Sequence, residues 1–422
     1  MQDAAARTST DTKDATGTYD YVIVGAGVAG ASAARAIRRH DEEGTTLVLG
    51  REDDGPFYRP DLSKTLWLED DAASGGEPAS GWLLDDEARA ELRTGVSVTA
   101  IDTEAKSLVL SDTTTVGYGR LLLATGAQPR TLDLPESDRI LTYRTLADYR
   151  RLRALATPGT RAVVVGGGYI GAEVAAALAQ NDVTVTLLMR GETVQGHMFP
   201  QRLAEEVTQE FRDRGVTMVG NSGAASAVVD GDTVVVTDTA GTEHRADVVV
   251  VGVGVIPQDQ VAQQAGITVE NGIVVDRTLA TSAPDVWAAG DVARYEDALL
   301  GVRRVEHVNN AERMGSIAGQ NMVRSRTGSD EPRAYDYTPF FWSDLFDYGY
   351  EAVGILDASL TTVEDFTDDG SAGVVYYVDG GTVRGVLLWN VWDSVDTAKA
   401  VMSQSITEPQ DRDDLVGRIP LG

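Results

Sequence analysis

The 422-residue chain has no cysteine. That excludes disulfides, thiolate zinc sites, cysteine-ligated iron–sulfur clusters and a redox-active dithiol. Lysine is almost as scarce. Lys13, Lys64, Lys106 and Lys399 are the only four, and the other 32 of the 36 basic residues are arginine. Positive charge is short overall, with 36 basic against 65 acidic residues and a net charge of −29. Such a chain repels nucleic-acid phosphates and anionic membrane surfaces, so neither is expected as a partner. Long apolar runs are missing too. The longest, 248–257, is too short for a bilayer and carries glycines, so no membrane span is expected. Residues 1–18 lack the apolar stretch of a secretory signal and read as a disordered acidic tail, with the protein cytoplasmic. His40, His197, His244 and His307 are scattered, and no metal site is expected.

The acid excess fits a cytoplasm at very high salt. There the Debye length is roughly 3 Å, and like charges cost little. A GC-rich genome favours arginine over lysine but does not account for a charge of −29.

Hydrophobic residues make up 42% of the chain, enough for a packed core. At about 150 residues per domain, the length suits two or three domains. Two stretches share one layout. In the first, apolar YVIV leads into GAGVAG at 25–30, then a small-residue helix, then the strand TTLVL. In the second, AVVV leads into GGGYIG at 166–171, then AEVAAALAQ, then VTVTLLM. Each is a βαβ unit with a G-x-G-x-x-G turn. The first glycine makes the tight turn, the second admits a pyrophosphate, and the third lets helix and sheet pack closely. The anion then meets free N–H groups at the helix start. One copy is weak support, but two copies 141 positions apart indicate two dinucleotide sites.

A β-rich stretch follows at 225–257, then TSAPDVWAAG at 281–290. The polar link 325–333 separates a last part, 335–422, which reads as antiparallel hairpins. Its acidic end after Thr407 reads as solvated.

These motifs resemble the two-dinucleotide-binding flavoprotein superfamily of glutathione reductase, ferredoxin reductases and apoptosis-inducing factor. The resemblance covers about 19–400. It rests on GAGVAG, LLLATGAQPR at 121–130, GGGYIGAE at 166–173, VVGVGVIP at 250–257 and VWAAGDVA at 286–293. FYRPDLSKTLW at 57–67, RRVEHVNNAERMGSIAGQNM at 303–322 and FFWSDLFDYGYEAVG at 340–354 narrow it to the ferredoxin reductase and apoptosis-inducing factor subgroup. The implied fold is α/β. It has a discontinuous FAD-binding domain (19–145 and 272–330), an NAD(P)-binding domain (146–271) and a C-terminal α+β domain (335–422).

The resemblance implies that hydride passes from NAD(P)H to flavin N5. Without cysteine, the electrons then leave to an external acceptor. The catalytic candidates are Lys64, Glu173, Glu306, His307 and Trp342. By resemblance Lys64 and Glu173 pair beside N5, where a cation stabilises the anionic reduced flavin. Glu306, His307 and Trp342 wall the nicotinamide-side cavity. Plainer readings exist: a solvated Lys64, a Glu173 serving its helix start, a core Trp342 and a structural His307.

On the FAD side the implied binding residues are Gly25, Ala26, Gly27, Val28, Ala29, Gly30, Arg51, Glu52, Arg59, Val98, Ala124, Thr125, Gly126, Arg130, Gly290, Asp291 and Val308. Asp291 would meet the ribityl chain, and Arg59 would face the flavin pyrophosphate or ring edge; its plainer reading is a surface arginine. The family usually has an acid where Arg51 stands; either Glu52 substitutes or Arg51 contacts the adenosine phosphate side. On the NAD(P) side they are Gly166, Gly168, Tyr169, Ile170, Gly171, Arg190 and Gly252. No acid stands at Met189, where NADH-preferring members carry one. Arg190 would welcome a 2′-phosphate and Glu192 would oppose it, so the expectation leans to NADPH or dual use.

The leading reading is an NAD(P)H oxidoreductase feeding a ferredoxin-type iron–sulfur carrier. The alternative is an apoptosis-inducing-factor-like protein whose shape or assembly follows its redox state. A nonenzymatic scaffold is the third class. A homodimer is compatible with the sequence but not specified by it.

Overall fold

The computed structural model describes residues 17–68 and 77–421. The tail expected over 1–18 lies, for 1–16, outside the described residues, and Thr18 already opens the first strand, Thr18–Val24.

The first half is built on a sheet whose parallel strands run Glu91–Arg93, Thr46–Leu49, Thr18–Val24, Thr115–Leu123, Val286–Ala288. Tyr21, Val22 and Ile23 are fully buried, as strands covered on both faces must be. Two antiparallel strands, Ser107–Leu110 and Val98–Asp102, extend the sheet beyond the N-terminal part of Thr115–Leu123. The second half repeats the parallel plan in the order Thr217–Val219, Thr184–Leu188, Arg161–Val165, Val248–Val251, Ile140–Thr142.

The outer position is filled differently in the two sheets. In the first it is taken by Val286–Ala288, from far downstream; in the second by Ile140–Thr142, from upstream of the glycine turn. Ile140–Thr142 falls within 19–145, the stretch read from sequence as FAD-binding. A three-residue strand carries too little pattern to declare its sheet.

Helix Val28–His40 covers the first sheet and ends in Arg38, Arg39 and His40, which suit the negative end of its dipole. Helix Val308–Thr327 lies against it. Cβ atoms added at Gly315 and Gly319 would come within 2.1 Å of the Ala29 carbonyl oxygen and 2.6 Å of that of Ala33. Only glycine allows this approach, and it brings the 303–322 segment to the first glycine turn. The helix runs into the polar link and stops at Gly328, in the left-handed conformation at φ 64°.

The C-terminal domain is a five-stranded antiparallel sheet with helix Val395–Thr407 on one face. Its period-2 pattern divides cleanly. Val375, Tyr377, Leu387 and Trp389 pack against the core of the second half. Val374, Tyr376, Val386 and Leu388 pack under the helix. The chain end is not merely solvated. The short helix Arg412–Leu415 is closed by an Asp411/Asp414 capping box, and Leu415 and Ile419 are fully buried. Among the described residues no helix is long and apolar enough to cross a membrane.

Candidate functional site

A cleft of about 1200 Å³ runs between the two halves. Both glycine turns open into it with the same geometry. Gly25 has φ 123° and Gly166 φ 120°. A Cβ at either would lie 2.0 Å from the Ala124 oxygen or 2.2 Å from the Gly252 oxygen. Gly27 and Gly168 cap the helices Val28–His40 and Tyr169–Gln180 with no side-chain hydrogen bond, and a Cβ at either would meet nothing within 4 Å. Two helix starts therefore present uncapped N–H groups to open space, which is what a dinucleotide pyrophosphate requires.

Gly25, Ala26, Gly27, Val28 and Ala29 line the cleft, as do Val98, Ala124, Thr125, Gly126, Arg130, Gly290 and Val308. Gly168, Tyr169, Ile170 and Gly252 line it from the other half. Gly30, Gly166 and Gly171 are not on its wall. They lie inside the turns, where a Cβ on Gly30 or Gly171 would sit 2.0 or 1.8 Å from the Gly25 or Gly166 carbonyl oxygen.

Charged groups along the first half are tied down. Arg59 pairs with Glu52 at 2.5 Å and donates to the Arg144 carbonyl at 2.8 Å, so it is a cleft residue rather than a free surface arginine. Arg51 donates to Gln258 Oε1 at 2.7 Å. Thr125 Oγ1 donates to the Gln258 carbonyl at 2.6 Å. Strands Ala127–Pro129 and Val255–Pro257 pair there and join the halves. Asp291 forms a 2.6 Å ion pair with Arg144, and its carbonyl accepts from Arg304 at 2.9 Å. Arg304 also pairs with Glu306 at 2.7 Å and keeps a buried Nε without a partner.

At the other end, Lys64 and Glu173 form a 2.8 Å ion pair. Glu173 is only 7% exposed. Ser63 donates to its Oε2 at 2.6 Å and Ser343 to its Oε1 at 2.5 Å. One carboxylate on the second half's helix is thus gripped by the first half and by the C-terminal sheet. Asp344 lies 3.6 Å from Lys64. His307 stacks on Phe341 at 4.4 Å. Burial, and then Arg303, push its imidazole down to about 4, so it is neutral at physiological pH. Trp342 lies near-parallel to Tyr58 at 6.4 Å and lines the cleft. Lys64 and Trp342 also wall a second recess of about 340 Å³.

Arg190 is not brought into the cleft. It is exposed past the end of strand Thr184–Leu188, and no side-chain hydrogen bond or ion pair involves it among the described residues.

Sequence reasoning missed Ser63, Ser343, Arg144, Gln258 and Arg304. The two serines adjoin Lys64 and Trp342 inside motifs already singled out, and that adjacency was the available signal. Arg144 meets Asp291 across 147 residues and had none.

The glycine turns, cleft and ion pair fit two dinucleotides. Residues 19–315 match the family described as pyridine nucleotide-disulphide oxidoreductase. Residues 318–372 match the C-terminal domain of mitochondrion-associated apoptosis-inducing factor. The ferredoxin–NAD(+) reductase component of the Burkholderia cepacia anthranilate 1,2-dioxygenase system is 38% identical, over 81% of this chain and 84% of its own. Mitochondrial apoptosis-inducing factor 1 of Dictyostelium discoideum is 33% identical, over 90% of this chain and 77% of its own. The ferredoxin reductase for the CYP199A2 system of Rhodopseudomonas palustris superposes with a TM-score of 0.83 at 29% identity, covering 93% of this chain and 96% of that one. Putidaredoxin reductase, in its covalent complex with putidaredoxin, gives 0.82 at 29% identity, covering 91% and 93%. With fold, site and relatives in agreement, the chain belongs to the pyridine nucleotide-disulphide oxidoreductase family, whose members use FAD and NAD(P)H, here without a disulphide of its own.

Proposed function

We propose that the chain is an FAD-dependent NAD(P)H oxidoreductase that reduces a ferredoxin-type iron–sulfur protein. The observation that carries the reading is the buried Lys64–Glu173 pair at the cleft that both uncapped glycine turns enter. FAD held there would supply the chemistry that turns the hydride of a reduced nicotinamide into single electrons for a carrier.

The chain's own residues bind, orient and screen. The first turn and the Arg144–Asp291 pair would hold FAD, and the second turn would hold the nicotinamide dinucleotide. Lys64 supplies positive charge where negative charge develops, and Glu173 aims it. Neutral His307 and Trp342 close the cavity against water without adding charge.

Exposed Arg190, with buried Met189 where an acid would repel a phosphate, supports acceptance of NADPH. The net charge of −29 supports work at high salt in a cytoplasm, where docking to an acidic carrier depends on short-range contacts. The deciding experiment is steady-state reduction of ferredoxin, quinone, dye and oxygen at high salt, with NADH and NADPH in parallel. Brisk ferredoxin reduction is expected; none at any salt concentration would overturn the reading.

A second reading draws on the match over 318–372: a redox-switched protein like apoptosis-inducing factor. It predicts slow turnover with every carrier and a change of shape or assembly on adding NAD(P)H.

A further inference from the structure

Glu173 stands in the helix that the second glycine turn opens, Tyr169–Gln180. Its two oxygens are not treated alike. Oε2 accepts from the Ser63 hydroxyl at 2.6 Å. Oε1 accepts from Lys64 at 2.8 Å and from the Ser343 hydroxyl at 2.5 Å. Both serines are buried, Ser343 completely. Each hydroxyl has a single hydrogen, and the carboxylate takes it.

The backbone that delivers these donors is pinned. Leu62, Leu66 and Trp67, which flank Ser63 and Lys64, pack in the core of the second half. The Leu62 carbonyl accepts from the Tyr143 hydroxyl, that of Leu66 from the Tyr149 hydroxyl at 2.8 Å, and that of Trp67 from Asn181 Nδ2 at 3.0 Å. Ser343 is fixed in the strand Phe340–Leu345, which pairs along its length with Tyr348–Val353. Two anchored serines thus set the rotation of one carboxylate, each from a different oxygen.

We infer that Ser63 and Ser343 are positioning residues that keep the charge of Lys64 available to the flavin. The inference rests on the reading of Lys64–Glu173 as the working pair. A buried carboxylate with no other donor would turn both oxygens to the lysine, and attraction at that range would cancel most of its charge. With Oε2 given to Ser63 and Oε1 shared with Ser343, part of the negative charge goes to neutral hydroxyls instead. Lys64 then meets one oxygen of Glu173, and the other carboxylate beside it, Asp344, is exposed and 3.6 Å away. The ammonium lines the cleft with its positive charge in hand, where negative charge develops. Ser343 also makes the C-terminal domain a party to the pair.

The test is the flavin midpoint potential of the FAD-loaded, full-length protein, with rapid-mixing flavin reduction by NAD(P)H alongside. Ser63→Ala and Ser343→Ala each lower the potential and slow reduction about tenfold, the worth of a bond to a charged group, with nucleotide affinity unchanged. Ser343→Thr keeps the hydroxyl and stays near wild type. Both losses persist at molar salt, because buried groups are screened little. Asp344→Asn raises the potential at low salt only. Lysine side chains labelled with nitrogen-15 give at most four signals, and the one that Lys64→Met removes is displaced in both alanine variants. A purely structural role would lower the unfolding temperature and leave the potential and that signal unmoved. This result would overturn the inference, as would a rise in potential. Wild-type potential and rate in Lys64→Met would instead overturn the reading of the pair, and a chain that stays colourless with FAD supplied would overturn the proposed function.

Discussion

Beyond the glycine turns, the two dinucleotide halves diverge at the tip of the second strand. In the first half the chain reads Leu49-Gly50-Arg51-Glu52; in the second, Leu188-Met189-Arg190-Gly191. A Cβ on Gly50 would lie 2.7 Å from Ala26 Cβ, and one on Gly167 would lie 2.9 Å from Met189 Cβ. Each half makes the same contact between turn and strand tip, and each leaves one partner without a side chain, but the choice is reversed. With Gly50 at the tip, Gly50, Arg51 and Glu52 all line the cleft, and both charged residues are held by Gln258 and Arg59. With Met189 at the tip, the space is filled and Arg190 stands free and exposed. The first tip is organised in advance, as would suit a resident cofactor. The second ends in a buried methionine and an exposed arginine, as would suit a substrate that comes and goes.

The sharpest way to break this comparison is to spoil each turn in the same manner. Gly25→Ala and Gly166→Ala both place a Cβ against a carbonyl oxygen, with backbone strain alone of about 1–3 kcal/mol. Gly25→Ala is expected to lose the yellow cofactor or fail to fold. Gly166→Ala should stay yellow and lose NAD(P)H binding. Flavin per chain after gel filtration and nucleotide titration report both, and equal flavin loss would end the division of labour. Next, Lys64→Met should slow flavin reduction about 100-fold or more, by analogy with removing one oxyanion donor. Nucleotide affinity should hold in the same stopped-flow series.

A smaller effect sharpens the difference between the strand tips. Arg190→Ala should lower kcat/KM for NADPH about tenfold, the worth of one charge-assisted bond, and leave NADH unchanged. Met189→Asp should favour NADH. Equal loss with both coenzymes, or no loss with either, would count Arg190 out as a contact of the 2′-phosphate.

The smallest effect concerns His307. Its folded value, about 4, lies below the ordinary 6.5. The unfolded chain therefore takes up this proton first, and stability falls as pH drops from about 6.5 to about 4. Below that it no longer contributes. Thermal unfolding of His307→Gln across this range should show a shallower pH dependence than the parent.

Much of the fold was legible because glycine turns leave a local signature. Strand, turn and helix at 19–49 and 161–189 stand where the periodicity put them. Lys64 and Glu173 were legible because each sits in a motif. The partners that hold them were not, since Ser343 reaches Glu173 across 170 residues and no local pattern records that distance. The chain end after Thr407 also misled, because its charges hide Leu415 and Ile419, each a single apolar residue with a core position waiting for it.

By itself the sequence determined two glycine turns of the dinucleotide-binding pattern, a chain with no cysteine to relay electrons and a strong excess of acid. Those follow from residue types that only certain backbone angles or charges can satisfy. Tertiary structure decided which distant segment completes each sheet, how closely Gly315 and Gly319 let two helices meet, and which hydroxyls surround Glu173. Such choices depend on packing and hydrogen-bond geometry among residues far apart in the chain, which come into being only when the whole core closes.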